Sequence, residues 1–137
     1  MIQELNKYVN YLLEELKIAN GILGVLLYGS YVLKVEDEFS DLDILIVVEE
    51  NNKNICGRGN LVKDSISIEY FIKTESEIYK ELIDELETLE PAMRIELLTG
   101  TIIFEKYSTL NKLKKRAEDI KRCAGEKLFL EWRSLYC

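Results

Sequence analysis

Two aspartates separated by one residue open an apolar stretch of the chain. Asp41 and Asp43 flank Leu42, and the run Ile44–Val48 follows directly. Because alternate residues of a strand point to the same face, the two carboxylates should share a face, with their Cα atoms roughly 6–7 Å apart. Such a pair can share one or two divalent cations, and Mg²⁺ favours a few carboxylates together with substrate phosphates. The pair therefore predicts a site for a metal and a phosphate.

A Gly-Ser dipeptide precedes the aspartates along the chain. Gly29 and Ser30 follow the apolar run Ile22–Tyr28, and residues 31–39 separate them from Ser40 and the aspartates. Glycine has no Cβ, so a phosphate can approach its backbone closely. A serine at the start of a helical turn offers its hydroxyl and backbone N–H groups to the same phosphate. The dipeptide is therefore a candidate phosphate-binding element.

Each motif alone also has a purely structural interpretation. An isolated Asp-x-Asp at a strand edge is usually part of a solvated turn, and Gly-Ser after a strand is a still weaker signal. The ordered series of strand, Gly-Ser, nine residues, Ser-Asp-x-Asp and second strand is much rarer by chance. The series favours the functional interpretation.

Composition narrows the chemistry further. The chain has no histidine, which excludes Ser-His-Asp triads, Cys-His pairs and His-ligated metals. With 18 basic and 25 acidic residues its formal charge is −7, which disfavours general attraction to nucleic acid or an anionic membrane. A local basic cluster, Lys112, Lys114, Lys115 and Arg116, is interpreted as a solvated helix face, with nucleotide or nucleic-acid contact as the alternative.

Cysteine usage and the apolar runs indicate a cytoplasmic protein. Cys56, Cys123 and Cys137 are odd in number and widely spaced, which argues against a disulfide scaffold and for a reducing compartment. The longest apolar run, Ile22–Tyr28, is far short of the ~20 residues that cross a bilayer. The first ten residues lack the pattern of a secretory signal.

The remaining pattern predicts the elements that must position these residues. Apolar periodicity predicts helices over 2–18, over 75–98 with a break at Pro91, and over about 108–134. Strands are expected over 22–28, 42–48, 65–73 and 101–105, with a helical turn at 31–35 and a loop at 51–60. The expected fold is a single α/β (α+β) domain over 1–137, with a small mixed sheet of about four strands and flanking helices.

The segment 26–48 resembles the nucleotidyltransferase superfamily, whose small members include kanamycin and lincosamide nucleotidyltransferases and minimal antitoxin-type enzymes. Gly29, Ser30, Asp41 and Asp43 match the family motif, and Ser40 matches the serine often found before its first aspartate. The resemblance implies transfer of a nucleoside monophosphate from a nucleoside triphosphate (NTP) to a hydroxyl acceptor, with Mg²⁺ or Mn²⁺ held by Asp41, Asp43 and a third carboxylate.

Glu69 is the candidate for the third carboxylate. It is a lone acid within the apolar stretch 65–73, where a buried unpaired carboxylate would cost several kcal/mol. Alternation places Ser67, Glu69 and Phe71 on one face, so Glu69 could equally be a solvent-facing residue. The resemblance favours a site role, as a metal ligand or general base.

The sequence departs from the family after Ser30. Many relatives have an arginine-rich turn there, whereas this chain has Tyr31-Val32-Leu33-Lys34, which leaves Lys34 as the candidate phosphate ligand. A second hypothesis is therefore a weak or inactive nucleotidyltransferase-fold module, an antitoxin or regulatory subunit. It would bind a helical protein partner, or a second copy, through the first or last helix. The acceptor is not identified by the sequence.

Overall fold

Five strands form one mixed sheet in the computed structural model, which describes residues 2–18, 20–28, 42–55, 57–87 and 91–130. The strands are β1 (Ile22–Tyr28), β2 (Leu42–Val48), β3 (Gly57–Lys63), β4 (Ile66–Thr74) and β5 (Thr101–Glu105). Their order is β3-β4-β2-β1-β5, with β2 and β4 parallel and the other neighbours antiparallel. The central strands β1 and β2 read as nearly continuous apolar runs because both of their faces are covered.

Four described α-helices cover the two faces of the sheet. They are α1 (Ile2–Leu16), α2 (Glu75–Asp84), α3 (Ala92–Thr99) and α4 (Thr109–Leu130). Val9 and Leu12 of α1 pack on one face, against alternate residues of the strands such as Val25 and Ile46. Helices α2, α3 and α4 pack on the other face, and we call this the three-helix face. None of the described helices is long and apolar enough to cross a membrane.

Local hydrogen bonds determine where α2 and α3 begin. Thr74 caps α2, its hydroxyl accepting from the Glu77 N–H at 3.3 Å. The Glu85 carboxylate accepts from the backbone N–H of Met93 at 2.5 Å and of Arg94 at 3.2 Å. A carboxylate at a helix N-terminus satisfies donors that have no partner within the helix. The Glu85 carboxylate thus stabilises the N-terminus of α3, just after Pro91.

Most of the predicted elements are confirmed. The bounds of β1, β2 and β5 are those predicted, β4 is displaced by one residue, and the helix predicted over 75–98 divides into α2 and α3 around Pro91. The mixed α/β class is also confirmed. The predicted helical turn at 31–35 and the end of the last helix beyond residue 130 lie outside the described residues.

The prediction of a loop over 51–60 was wrong. A 3₁₀ helix spans Glu50–Ile55, and β3 begins at Gly57, so the sheet has five strands rather than about four. Gly59 pairs with Tyr70 of β4, and a Cβ built on Gly59 would lie 2.4 Å from the Tyr70 hydroxyl oxygen. Glycine here permits a close cross-strand approach rather than marking a turn.

Candidate functional site

Three polar side chains stand side by side on adjacent strands. Tyr28 of β1 pairs with Asp43 of β2, and Asp43 pairs with Glu69 of β4. Neighbouring strands lie about 4.8 Å apart, and directly paired residues project from the same face. We call these residues the Tyr28–Asp43–Glu69 row.

The row belongs to the three-helix face of the sheet. Tyr28 itself packs in the core of that face, as does Leu45, which lies two residues after Asp43. Phe71, two residues after Glu69, packs against the same core. Residues two apart in a strand share a face, so Asp43 and Glu69 project to this side as well.

The structure therefore brings together two of the predicted site residues. Asp43 and Glu69 are in register, and Glu69 is partly buried on an interior strand, with β3 on its other side. The other candidates, Gly29, Ser30, Lys34, Ser40 and Asp41, lie outside the described residues. Their part in a site remains a prediction.

Two carboxylates from the helices, Glu81 and Glu96, lie close enough to Tyr28 to influence its pKa. Glu81 of α2 accepts a 2.6 Å hydrogen bond from the Lys73 ammonium, and this ion pair is partly buried. Burial raises the pKa of Glu96 on α3 from its ordinary value of 4.5 to about 7, with Glu81, Glu85 and Asp43 adding to the rise and Lys73 opposing it. Several carboxyl groups therefore lie in the neighbourhood of the row.

The pKa of the Tyr28 phenol is also raised by its surroundings. Burial raises the pKa of its phenol, and the negative charges of Glu96, Asp43 and Glu69 raise it further. The phenol is therefore a neutral O–H group throughout the physiological pH range. Its ring is buried, with an exposed fraction of 7%.

Sequence reasoning missed both Tyr28 and Glu96 as site residues. Tyr28 ends the apolar run Ile22–Tyr28, a pattern that predicts a buried ring and gives no indication of a role for its hydroxyl. Glu96 was not singled out, although it lies three residues after the buried Met93 and next to the buried Leu97. An acid on the apolar side of a short helix was the available signal.

The raised pKa of Glu96 predicts a pH-dependent stability. Between pH 4.5 and about 7 the folded protein holds the Glu96 proton while the unfolded chain has released it, so the free energy of unfolding falls as the pH rises. Over this pH range the free energy of unfolding of the wild type should fall by on the order of 1–2 kcal/mol relative to that of Glu96→Gln. The fall is no larger because water reaches part of this side chain. Urea unfolding at several pH values measures this, with Glu15→Gln on the exposed side of α1 as the control. Parallel stability curves for wild type and Glu96→Gln would contradict the prediction.

The residues of the row suit a hard divalent cation. Carboxylate oxygens are preferred ligands of Mg²⁺, and Asp43 and Glu69 supply two carboxylates from adjacent strands. Within the described ranges no three acidic or cysteine side chains group closely enough to hold a metal, and Asp41, the third predicted ligand, lies outside them.

A cavity of about 740 Å³ lies elsewhere, between α1 and strands β1 and β5. Its apolar wall includes Val9, Val25 and Ile103, on the face of the sheet opposite the row. The lining also includes polar residues such as Asn6, Asn10 and Glu14, but the cavity lies across the sheet from Asp43 and Glu69. We do not assign the chemistry of the site to it.

Comparisons with known proteins give a consistent result. A family model described as "Nucleotidyltransferase domain" matches residues 6–124. No curated protein matches the sequence. One similar solved structure is a nucleotidyltransferase-like protein from Exiguobacterium sibiricum 255-15, with 17% identity and a TM-score of 0.61 over 83% of this chain. The chain spans 38% of that protein's length, and the likeness shows a shared fold.

Proposed function

The chain belongs to the nucleotidyltransferase domain family, and we propose that it transfers a nucleoside monophosphate from an NTP to a hydroxyl acceptor, with Mg²⁺ or Mn²⁺. The observation that carries this proposal is the in-register pair of Asp43 and Glu69, at the end of the sheet where β1 leads into Gly29 and Ser30.

The electrostatics of the described residues support a cation in the reaction. A triphosphate is an anion, and it would approach a region that already holds Asp43, Glu69, Glu81 and Glu96, with Lys73 engaged by Glu81. Like charges repel strongly where solvent is partly excluded. A divalent cation held by Asp41, Asp43 and Glu69 would reverse that repulsion. A bound cation would neutralise negative charge on the attacked α-phosphate and on the departing pyrophosphate.

The proposed roles of the protein groups follow from the transfer itself. The oxygen of the acceptor hydroxyl forms a bond to the α-phosphorus, the bond from the α-phosphorus to the bridging oxygen breaks, and pyrophosphate leaves. Glu69 would either accept the hydroxyl proton as general base, or hold a second metal that would lower the pKa of the hydroxyl so that its proton passes to water. Gly29, Ser30, Ser40 and Lys34 bind the phosphates and fix their orientation.

A second proposal is a non-catalytic module that binds a helical protein partner or a second copy of the chain. It is favoured by the run Tyr31-Val32-Leu33-Lys34, which supplies one lysine where many relatives have arginines. We propose the last helix, about 108–134, as the partner element and 1–137 as one unit. Co-purification with a small helical protein, together with absent transfer activity, would favour this proposal.

Incubation with α-labelled ATP, GTP, CTP and UTP tests the enzymatic proposal. The protein, Mg²⁺ and a cytoplasmic extract are combined, because the cysteine pattern favours a reducing compartment. We expect label to enter one protein or small-molecule fraction only when Mg²⁺ is present. No incorporation with any of the four nucleotides would favour the binding module.

A further inference from the structure

We infer that Arg58 and Asn60 on β3 bind the acceptor of the proposed transfer, and that this acceptor carries an anionic group, a carboxylate or a phosphate, which Arg58 recognises. This inference rests on the proposed function and adds to it the chemical class of the acceptor. It is carried by an exposed guanidinium beside Glu69, on a part of the sheet that the helices leave open.

The β3 end of the three-helix face is open to solvent. Asn60 of β3 pairs with Glu69 of β4, and Arg58 pairs with Phe71, so both β3 side chains project to the face that carries Glu69. Within the described ranges β3 contributes no residue to the core under the three helices, and Arg58, Asn60 and Val62 are exposed. A molecule from solvent can therefore approach Glu69 over the surface of β3.

The Arg58 guanidinium is held in position without being neutralised. Its Cζ atom lies 5.8 Å from the centroid of the Phe71 ring, and it forms no ion pair with the residues that the structure describes. Lys73, which also lies over this ring, is bound to Glu81. A guanidinium on an aromatic ring keeps its N–H donors for a further partner, and their fork matches a carboxylate or a phosphate.

The side of Glu69 on which Arg58 lies indicates the acceptor rather than the nucleotide. Asp43, the proposed ligand of the cation that accompanies the triphosphate, lies on the β2 side of Glu69, whereas Asn60 and Arg58 lie on the β3 side. In phosphoryl-type transfer the entering and leaving oxygens are roughly in line, on opposite sides of the phosphorus. With the proposed base between the two sides, the β3 side is left for the acceptor.

The spacing of these residues suits a compact acceptor. Arg58 and Glu69 are diagonal neighbours on adjacent strands, roughly 7–8 Å apart. A small molecule can therefore present a hydroxyl to Glu69 and an anionic group to Arg58 at the same time. The Asn60 amide, directly beside Glu69, supplies both a donor and an acceptor for the hydroxyl-bearing part.

Titration of small anionic hydroxyl compounds tests the inference without requiring transfer. The probes are glycerol 3-phosphate and 4-hydroxyphenylacetate, with their neutral counterparts glycerol and 4-(2-hydroxyethyl)phenol. Binding to isotope-labelled protein is followed by nuclear magnetic resonance, from the Arg58 Nε–H signal and the backbone amides of β3. We expect saturable shifts with at least one anionic probe and none with the neutral compounds. Arg58→Gln, followed by the β3 amides, should bind that probe roughly 10-fold more weakly.

Two further measurements make the result specific. Arg116→Gln is the matched control, because this guanidinium also lies 5.8 Å from a ring centroid, that of Tyr79, but on α4. It should leave the affinity for the anionic probe unchanged. In the labelling experiment with extract, the bound probe should lower the labelling of the extract's own acceptor at concentrations that saturate the Arg58 signal, because the two compete for one site.

The results that overturn the inference differ from those that overturn the proposed function. Equal affinity of wild type and Arg58→Gln for the anionic probes, no saturable shift with either probe, or unchanged labelling of the extract at saturation overturns the inference alone. Weaker binding of ATP or GTP with Mg²⁺ by Arg58→Gln also overturns it, since the guanidinium would then serve the nucleotide. Absence of labelling with all four nucleotides overturns the proposed function, and with it the acceptor role of Arg58.

Discussion

Glu69→Gln is expected to reduce nucleotidyl transfer at least about 100-fold while leaving NTP affinity within roughly threefold of the wild type. The amide has nearly the shape of the carboxylate but can neither accept the hydroxyl proton nor bind a cation as strongly. Asp41 and Asp43 would still hold the metal that accompanies the triphosphate. Transfer is measured with labelled NTP and affinity by calorimetry, so that the chemical step is separated from binding.

A matched control makes the Glu69 result specific. Asp84→Asn carries the same carboxylate-to-amide change at an exposed position near the end of α2. It should leave both transfer and affinity unchanged. Transfer by Glu69→Gln at the wild-type rate would show that Glu69 is a surface acid that happens to lie beside Asp43.

Of the substitutions proposed, Leu45→Ala is expected to destabilise the protein most, lowering the free energy of unfolding by about 2–5 kcal/mol. Leu45 is fully buried in the middle of β2, between β1 and β4, and it packs under the three helices. Truncation leaves a cavity that neighbours on both sides cannot fill. Val62→Ala, at an edge-strand residue that is 64% exposed, should change stability by less than about 0.5 kcal/mol.

Urea unfolding at a fixed pH measures both variants. The slope against urea concentration should match that of the wild type, so that the shift in midpoint reports stability. A loss below about 1 kcal/mol for Leu45→Ala would contradict the packing described for the three-helix face.

The local pattern of apolar residues was sufficient to predict the buried strands of the sheet. β1 and β2 are predictable because each is a nearly continuous apolar run bounded by polar or turn-forming residues, Gly29-Ser30 after β1 and Glu49-Glu50 after β2. β3 was not predictable in the same way. It is a polar edge strand in which Gly59 lies against Tyr70 of the neighbouring strand, and single-segment patterns do not contain that contact.

The candidate site was likewise predictable from the sequence only in part. The proximity of Asp43 and Glu69 followed from a motif at the start of one strand and a lone acid within another apolar strand. Glu96 has only a weak local signal, its position next to the buried Leu97, because its raised pKa depends on its burial where α3 packs and on the charges of Glu81 and Glu85. Charges that gather from separate elements are visible only in three dimensions.

Calorimetric titration of Mg²⁺ with ATP or GTP into the wild type and the Asp41→Ala/Asp43→Ala variant tests the proposed metal and nucleotide site most directly. Circular dichroism and urea unfolding first establish that the variant is folded. We predict saturable Mg²⁺-dependent binding of one of the nucleotides to the wild type, and binding at least about 10-fold weaker to the variant. Equal affinity of the two proteins for the nucleotide would contradict the assignment of this site.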